Sequence, residues 1–155
     1  MRKIQETRLK NALKNWHTVK NPLIVLATGI IFYFNRFNPF LGLKNEIYNL
    51  FGTKIHKNAR LAFGVWVDFF FPELIEINDG AVVGLNSTIL THEFLPHSWR
   101  KGRVSIGKNV LIGANSTIMP GVSIEENSLI GAMSLVNKDI PANELWGGVP
   151  VRKIK

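Results

Sequence analysis

An aliphatic residue recurs every six positions through the C-terminal half of the chain: Ile106, Ile112, Ile118, Ile124, Ile130 and Val136. Four places after each stands a small or β-branched residue, namely Val110, Ser116, Val122, Ser128, Ser134 and Ile140. Two shorter runs keep the same frame: Ile77, Val83 and Ile89 with Ala81 and Ser87, and Ile55, Leu61 and Val67 with Ala59 and Val65. A helix cannot hold such a repeat on one face, because six residues turn it through about 600° and the stripe wanders round the axis. Short strands joined by tight turns can. Each strand points one aliphatic side chain inward, and the small residue fits near a corner. Asn58, Asp79-Gly80, Asn86, Asn109, Asn115 and Asn127 fall at the turns, where residues that tolerate positive φ are wanted. Three units make one triangular coil, and the twelve units predict about four coils stacked at roughly the 4.8 Å strand spacing. The fold expected is an all-β solenoid of parallel strands.

The frame breaks twice. Val67 to Ile77 is ten residues, so four are inserted around Phe69-Phe70-Phe71-Pro72. Ile89 to Ile106 is 17 residues, which ejects a loop from Glu93 to Arg103. Loops thrown out of a regular solenoid are where function tends to be placed.

Composition narrows the chemistry. At 155 residues the chain suits one domain. It has no Cys, so a disulfide framework, a zinc finger, an iron–sulfur site and a thiol nucleophile are excluded. The net charge of +8 is unevenly spread: residues 1–60 carry +9, residues 61–150 carry −4 and the last five residues +3. A nucleic-acid-binding domain carries its positive stripe on the folded body, so the acidic repeat argues against nucleic acid.

The frame of aliphatic-Gly-x-x-small-x resembles that of the hexapeptide-repeat proteins. The closing stretch is more specific. Ile106-Gly-Lys-Asn-Val-Leu-Ile-Gly-Ala-Asn, Met119-Pro-Gly-Val-Ser-Ile, Ile130-Gly-Ala-Met-Ser-Leu-Val-Asn-Lys-Asp-Ile-Pro and Gly147-Gly-Val-Pro-Val-Arg-Lys-Ile resemble the galactoside, maltose and serine acetyltransferase branch. The resemblance covers roughly residues 50–155. It implies a left-handed β-helix, a homotrimer with active sites between subunits, and transfer of an acyl group from acetyl-CoA, with no metal, to a small-molecule acceptor carrying a hydroxyl or amine. In that family a catalytic His ends a coil just before a long loop, which carries the role to His92 in Leu90-Thr91-His92-Glu93-Phe94. A His that titrates near neutral pH suits removal of a proton from the attacking hydroxyl. CoA contacts carry over by motif to Ala114 and Ala132, against which the pantetheine arm would lie, and to Asn137, Lys138 and Arg152 near its phosphates. Asn137 stands where Thr is commoner. Where galactoside-type enzymes present Asn below the His, this chain has Val65-Trp66-Val67-Asp68. Asp68 is a candidate for orienting His92 or binding the acceptor, and equally a turn residue capping the inserted bulge. Glu93 is a second candidate for the same work. Trp66 and Phe69–Phe71 offer either an acceptor surface or trimer packing.

A rival on the same fold is the gamma-class carbonic anhydrase, which needs three His around a metal. His56, His92 and His97 are the candidates, although the ten-residue step at Val67 shifts their phase and His97 sits in the ejected loop.

The chain divides into an N-terminal helical and apolar segment (1–52), a β-helix (53–141) with its ejected loop (93–103), and a basic tail (142–155). Residues 4–19 are expected to form an amphipathic helix through Leu9, Ala12, Leu13, Trp16 and Val19. Leu41–Phe51 is expected to form a second helix that caps the solenoid's open end, with Leu43, Ile47, Leu50 and Phe51 on one face. The uncharged run from Pro22 to Phe34 is too short for the roughly 20 residues that span a bilayer. No cleavable signal is evident, and the expected location is cytoplasmic. The run either packs on the solenoid or trimer, or makes peripheral membrane contact together with the basic flanks in residues 1–40.

Overall fold

A computed structural model describes residues 2–155. An N-terminal strand β1 (Gln5–Arg8) is followed by two helices, α1 (Pro22–Asn35) and α2 (Leu41–Leu50). The repeat begins with β2 (Lys54–Ile55), β3 (Arg60–Leu61) and β4 (Trp66–Val67), then β5 (Ile75–Ile77), β6 (Val82–Val83) and β7 (Thr88–Ile89). A hairpin of β8 (His92–Phe94) and β9 (Ser98–Lys101) interrupts it. It resumes with β10 (Val104–Ile106), β11 (Leu111–Ile112) and β12 (Thr117–Ile118), then β13 (Ser123–Ile124), β14 (Leu129–Ile130) and β15 (Leu135–Val136). The chain ends with β16 (Leu145–Gly147) and β17 (Arg152–Lys153).

The strands form three parallel stacks, β2-β5-β10-β13, β3-β6-β11-β14 and β4-β7-β12-β15. Register follows the sequence period. Ile55, Ile77, Ile106 and Ile124 align in the first stack. Leu61, Val83, Ile112 and Ile130 align in the second. Val67, Ile89, Ile118 and Val136 align in the third. All twelve are buried and make one continuous column of apolar side chains. Turns are tight at the positions read as turns: Asn86, Asn109, Asn115 and Asn127 have φ from +53° to +58°. Asn58 is not left-handed and instead bonds the Asp79 carboxylate. Ile112→Ala, in the middle of the column, is expected to cost about 2–5 kcal/mol, read from urea unfolding with an unchanged m-value.

Helix α2 caps the open end, but only part of the apolar face expected turns inward: Ile47 is half-buried and Phe51 packs on the core. Lys44, Asn45 and Tyr48 face inward, while Leu43 and Leu50 are exposed. The end of the solenoid presents backbone carbonyls with no further strand to meet them. Lys44 Nζ donates to the carbonyls of Leu61 and Ala62 (both 3.2 Å), and Asn45 Nδ2 to those of Ala59 (2.8 Å) and His56 (3.3 Å). Satisfying those acceptors outweighs burial of Leu43 and Leu50. Burial pushes the Lys44 ammonium pKa down.

Residues 4–19 are not a helix. β1 pairs antiparallel with β9, Glu6 opposite Arg100, and a turn and a short 3-10 segment at Trp16–Thr18 follow. The edge of the β8–β9 hairpin offers ladder partners that a lone basic helix would lack. The basic tail is also structured: β16 adds to β14 in parallel, and β17 folds back on β16.

Candidate active site

Both irregularities of the repeat leave the solenoid at one edge. The insertion follows β4 and the hairpin follows β7, and β4 and β7 are neighbours in one sheet. The Asp68 N–H donates to Ile89 O (3.0 Å), which sets Asp68 beside the start of the hairpin. Its carboxylate then serves both irregularities. Oδ1 accepts from the Phe70 N–H (2.8 Å), which caps the inserted bulge. Oδ2 accepts from the Thr91 N–H (2.7 Å) and meets His92 Nδ1 at 2.6 Å. The two roles read for Asp68 as alternatives, turn cap and partner of His92, are thus filled together, one oxygen each.

Asp68 is 1% exposed and His92 17%. Burial pushes the Asp68 carboxyl up, but the bonds from His92, Thr91 and Phe70 outweigh it and hold the group below its usual range. An ionised carboxylate only accepts, so Nδ1 of His92 carries the proton and Nε2 is left as the basic nitrogen. The imidazole sits among aromatic rings: Phe70 at 4.8 Å between centroids, Phe94 at 5.0 Å and Phe71 at 5.9 Å. Trp99 stacks on Phe71 from the far side of the hairpin, at 5.5 Å and 8°. Thr91 is buried, and its hydroxyl donates to Phe71 O (3.2 Å).

Sequence reasoning missed two parts of this arrangement. Phe70 and Phe71 wall the His92 ring within one chain. The signal was the ten-residue step itself, which placed an aromatic insertion one coil below His92. Thr91 ties the hairpin to the insertion, and nothing in its spacing set it apart.

Glu93 is a correction. It alternates with His92 along β8, and its carboxylate pairs with Arg2 Nη1 at 3.4 Å, so it does not hold the imidazole. The three His of the metal reading do not converge. His56 pairs with Asp79 (3.1 Å), His92 with Asp68, and His97 is exposed at the hairpin tip. Among the described residues, no three His, Cys, Asp or Glu side chains gather as a metal donor set.

The residues matched to CoA contacts fall on two corners. Asn137 follows β15 and stands above Leu90 in the corner that carries His92, through Leu90 N–H to Ile118 O and Met119 N–H to Val136 O (both 3.0 Å). Its Oδ1 is buried with no hydrogen-bond partner. Lys138 lies with Nζ 6.0 Å from the Trp146 ring centre, and Arg152 is exposed on β17, opposite Gly147. Ala114 and Ala132 stack at the corner after β11 and β14, where Met133 N–H donates to Ala114 O (2.8 Å). A Cβ on Gly113 would lie 2.4 Å from the Ala132 nitrogen, so this edge is kept small and close. The residues matched to CoA contacts are therefore split, with Asn137 in the His92 corner and Ala114 and Ala132 in another.

Residues 103–136 match the family described as "Hexapeptide repeat of succinyl-transferase". Over 157 aligned residues the chain is 40% identical to YvoF of Bacillus subtilis (strain 168), whose name places it provisionally among the acetyltransferases, covering 99% of this chain and 91% of that protein. The chain belongs to the hexapeptide-repeat acetyltransferases. The fold of this hexapeptide-repeat acetyltransferase is like that of a maltose O-acetyltransferase from Clostridium difficile 630, with a TM-score of 0.68 at 23% identity over 96% of this chain and 91% of the other. A galactoside acetyltransferase solved in complex with coenzyme A gives 0.62 at 26% identity, over 86% and 80%. The three parallel stacks are thus the faces of a left-handed β-helix.

Proposed function

We propose that this acetyltransferase moves an acetyl group from acetyl-CoA to a hydroxyl of a sugar or similar small acceptor, with His92 as general base. The observation that carries the reading is the 2.6 Å bond from His92 Nδ1 to buried Asp68. It fixes the ring and its tautomer and leaves Nε2 free to take a proton. The acceptor oxygen attacks the thioester carbonyl carbon while Nε2 removes its proton. A C–O bond forms, the C–S bond breaks, and the proton on Nε2 passes to the departing CoA sulfur. Asp68 stabilises the imidazolium between the two transfers. The direct route needs no nucleophilic side chain, in keeping with a chain that has no Cys. The relatives' named chemistry, galactoside acetylation and a bound coenzyme A, supports the donor and the acceptor class.

The split of candidate residues between two corners favours a site shared by neighbouring copies. In a homotrimer the Ala114–Ala132 edge of one copy would receive the pantetheine arm and present the thioester to His92 of the next. Lys138 and Arg152 hold the CoA phosphates, while Asn137 Oδ1 awaits a donor. Replacing both Lys138 and Arg152 by Ala is expected to raise KM for acetyl-CoA by about tenfold or more with kcat kept. An unchanged KM removes them from the donor site.

The acceptor class is tested by free-thiol release from acetyl-CoA with a panel of sugars, polyols and amines. Hydroxyl acceptors are expected to lead, and turnover with amines alone would overturn the O-acetyl reading.

A further inference from the structure

We infer that the outward face of α1, with the Phe37–Leu43 segment leading into α2, seats this acetyltransferase on an anionic lipid bilayer. The inference does not depend on the catalytic reading. α1 has no charged residue, and Asn21 and Pro22 start it, with the Asn21 side chain accepting from the Leu23 N–H. Its buried stripe is narrow: Val25, Thr28, Phe32 and Asn35. At about 100° per residue, Leu23, Ile24, Leu26, Ile30, Ile31 and Phe34 spread over the opposite half of the circumference, and all are exposed. Leu23 is 76% exposed, Phe34 69% and Phe40 70%. An unbroken apolar face of this kind marks a contact with something apolar. Leu26, Ile30 and Phe34 of that face also wall a groove of about 370 Å³ between α1 and the solenoid, together with Trp16, Tyr33 and Trp66. Rings of this type favour the boundary between headgroups and acyl chains.

Charge selects the bilayer over a protein partner. Residues 1–60 hold eleven Lys and Arg against only Glu6 and Glu46; Lys44 is buried, and Arg2 and Lys20 pair with Glu93 and Glu73, which leaves eight. Glu6 is already taken by Ser98 and Arg100. Exposed Lys10 and Lys14 precede α1, and exposed Lys54, Lys57 and Arg60 follow α2. A half-cylinder of hydrocarbon flanked along the chain by exposed cations fits an anionic interface. With 14 residues α1 is shorter than the roughly 20 that span a bilayer, and no helix among the described residues is long and apolar enough to cross one, so α1 lies along the surface.

The test is co-sedimentation of the full chain with vesicles of phosphatidylglycerol and phosphatidylcholine, or of phosphatidylcholine alone, with oligomer size measured in parallel by sedimentation velocity. Binding is expected only with the anionic vesicles, weakening as salt is raised to about 0.5 M. Leu23→Asp/Phe34→Asp is expected to weaken it by about a hundredfold or more with oligomer size unchanged. Lys10→Glu/Lys14→Glu, which leaves the apolar face intact, is expected to weaken it by about tenfold or more. No binding by the unaltered protein overturns the inference. So does binding that survives both double variants. A smaller oligomer for Leu23→Asp/Phe34→Asp also overturns it, because the face is then a contact between copies.

Discussion

His92→Ala is expected to lower kcat for acetyl transfer by about 10²–10⁴-fold while KM for acetyl-CoA stays near its original value. The loss falls on kcat because the base acts only as the acceptor oxygen attacks, not when the donor binds. Folding should be largely spared. His92 is partly exposed, and Asp68 keeps its two backbone N–H donors, Phe70 and Thr91, when the imidazole is removed. Initial rates of thiol release measure the effect, and unfolding midpoints check the fold. An active His92→Ala enzyme would remove His92 from the proposed chemistry.

Changes at Asp68 are expected to separate positioning from folding. Asp68→Asn is close in shape but lacks the charge that holds the proton on His92 Nδ1. By analogy with the equivalent change in a serine protease triad, kcat should fall by up to about 10⁴-fold. Asp68→Ala should in addition destabilise the protein, because the Phe70 and Thr91 N–H groups lose their acceptor in the interior, at about 1–3 kcal/mol each. The Asp68 carboxyl is held below its usual range in the folded state. Its contribution to stability is therefore fully present above the ordinary Asp value, about 3.9, and is lost as pH falls through the lower folded value. Urea unfolding between neutral pH and pH 3 should show a loss in the unaltered protein that is smaller in Asp68→Asn. Equal losses would mean that Asp68 is not the group titrating.

The repeat was legible because a period of six is set by the backbone: one inward residue per strand, one small residue per corner. That is why Ile55, Ile77, Ile106 and Ile124 could be aligned on paper and are aligned in the sheet. The edge carrying the site was legible for the same reason, since two breaks in a strict register must be ejected somewhere. What periodicity does not encode is the partner of each ejected segment. Residues 4–19 carry a helical spacing of apolar residues, yet β1 finds a hairpin edge to pair with. α2 carries Leu43 and Leu50 on one side, yet the unmet carbonyls at the solenoid end draw Lys44 and Asn45 inward. Glu93 is next to His92 in sequence, but strand alternation turns it to Arg2. In the first two cases a long-range backbone demand decides over local pattern, and in the third strand alternation decides over adjacency in sequence.

The most direct test of the proposed chemistry is a two-substrate initial-rate study in acetyl-CoA and a hydroxyl acceptor, with intact-mass spectrometry of the protein after exposure to acetyl-CoA alone. Direct transfer with His92 as base predicts intersecting lines and a protein that gains no acetyl group. Parallel lines together with an acetylated protein would mean a covalent intermediate and would contradict it.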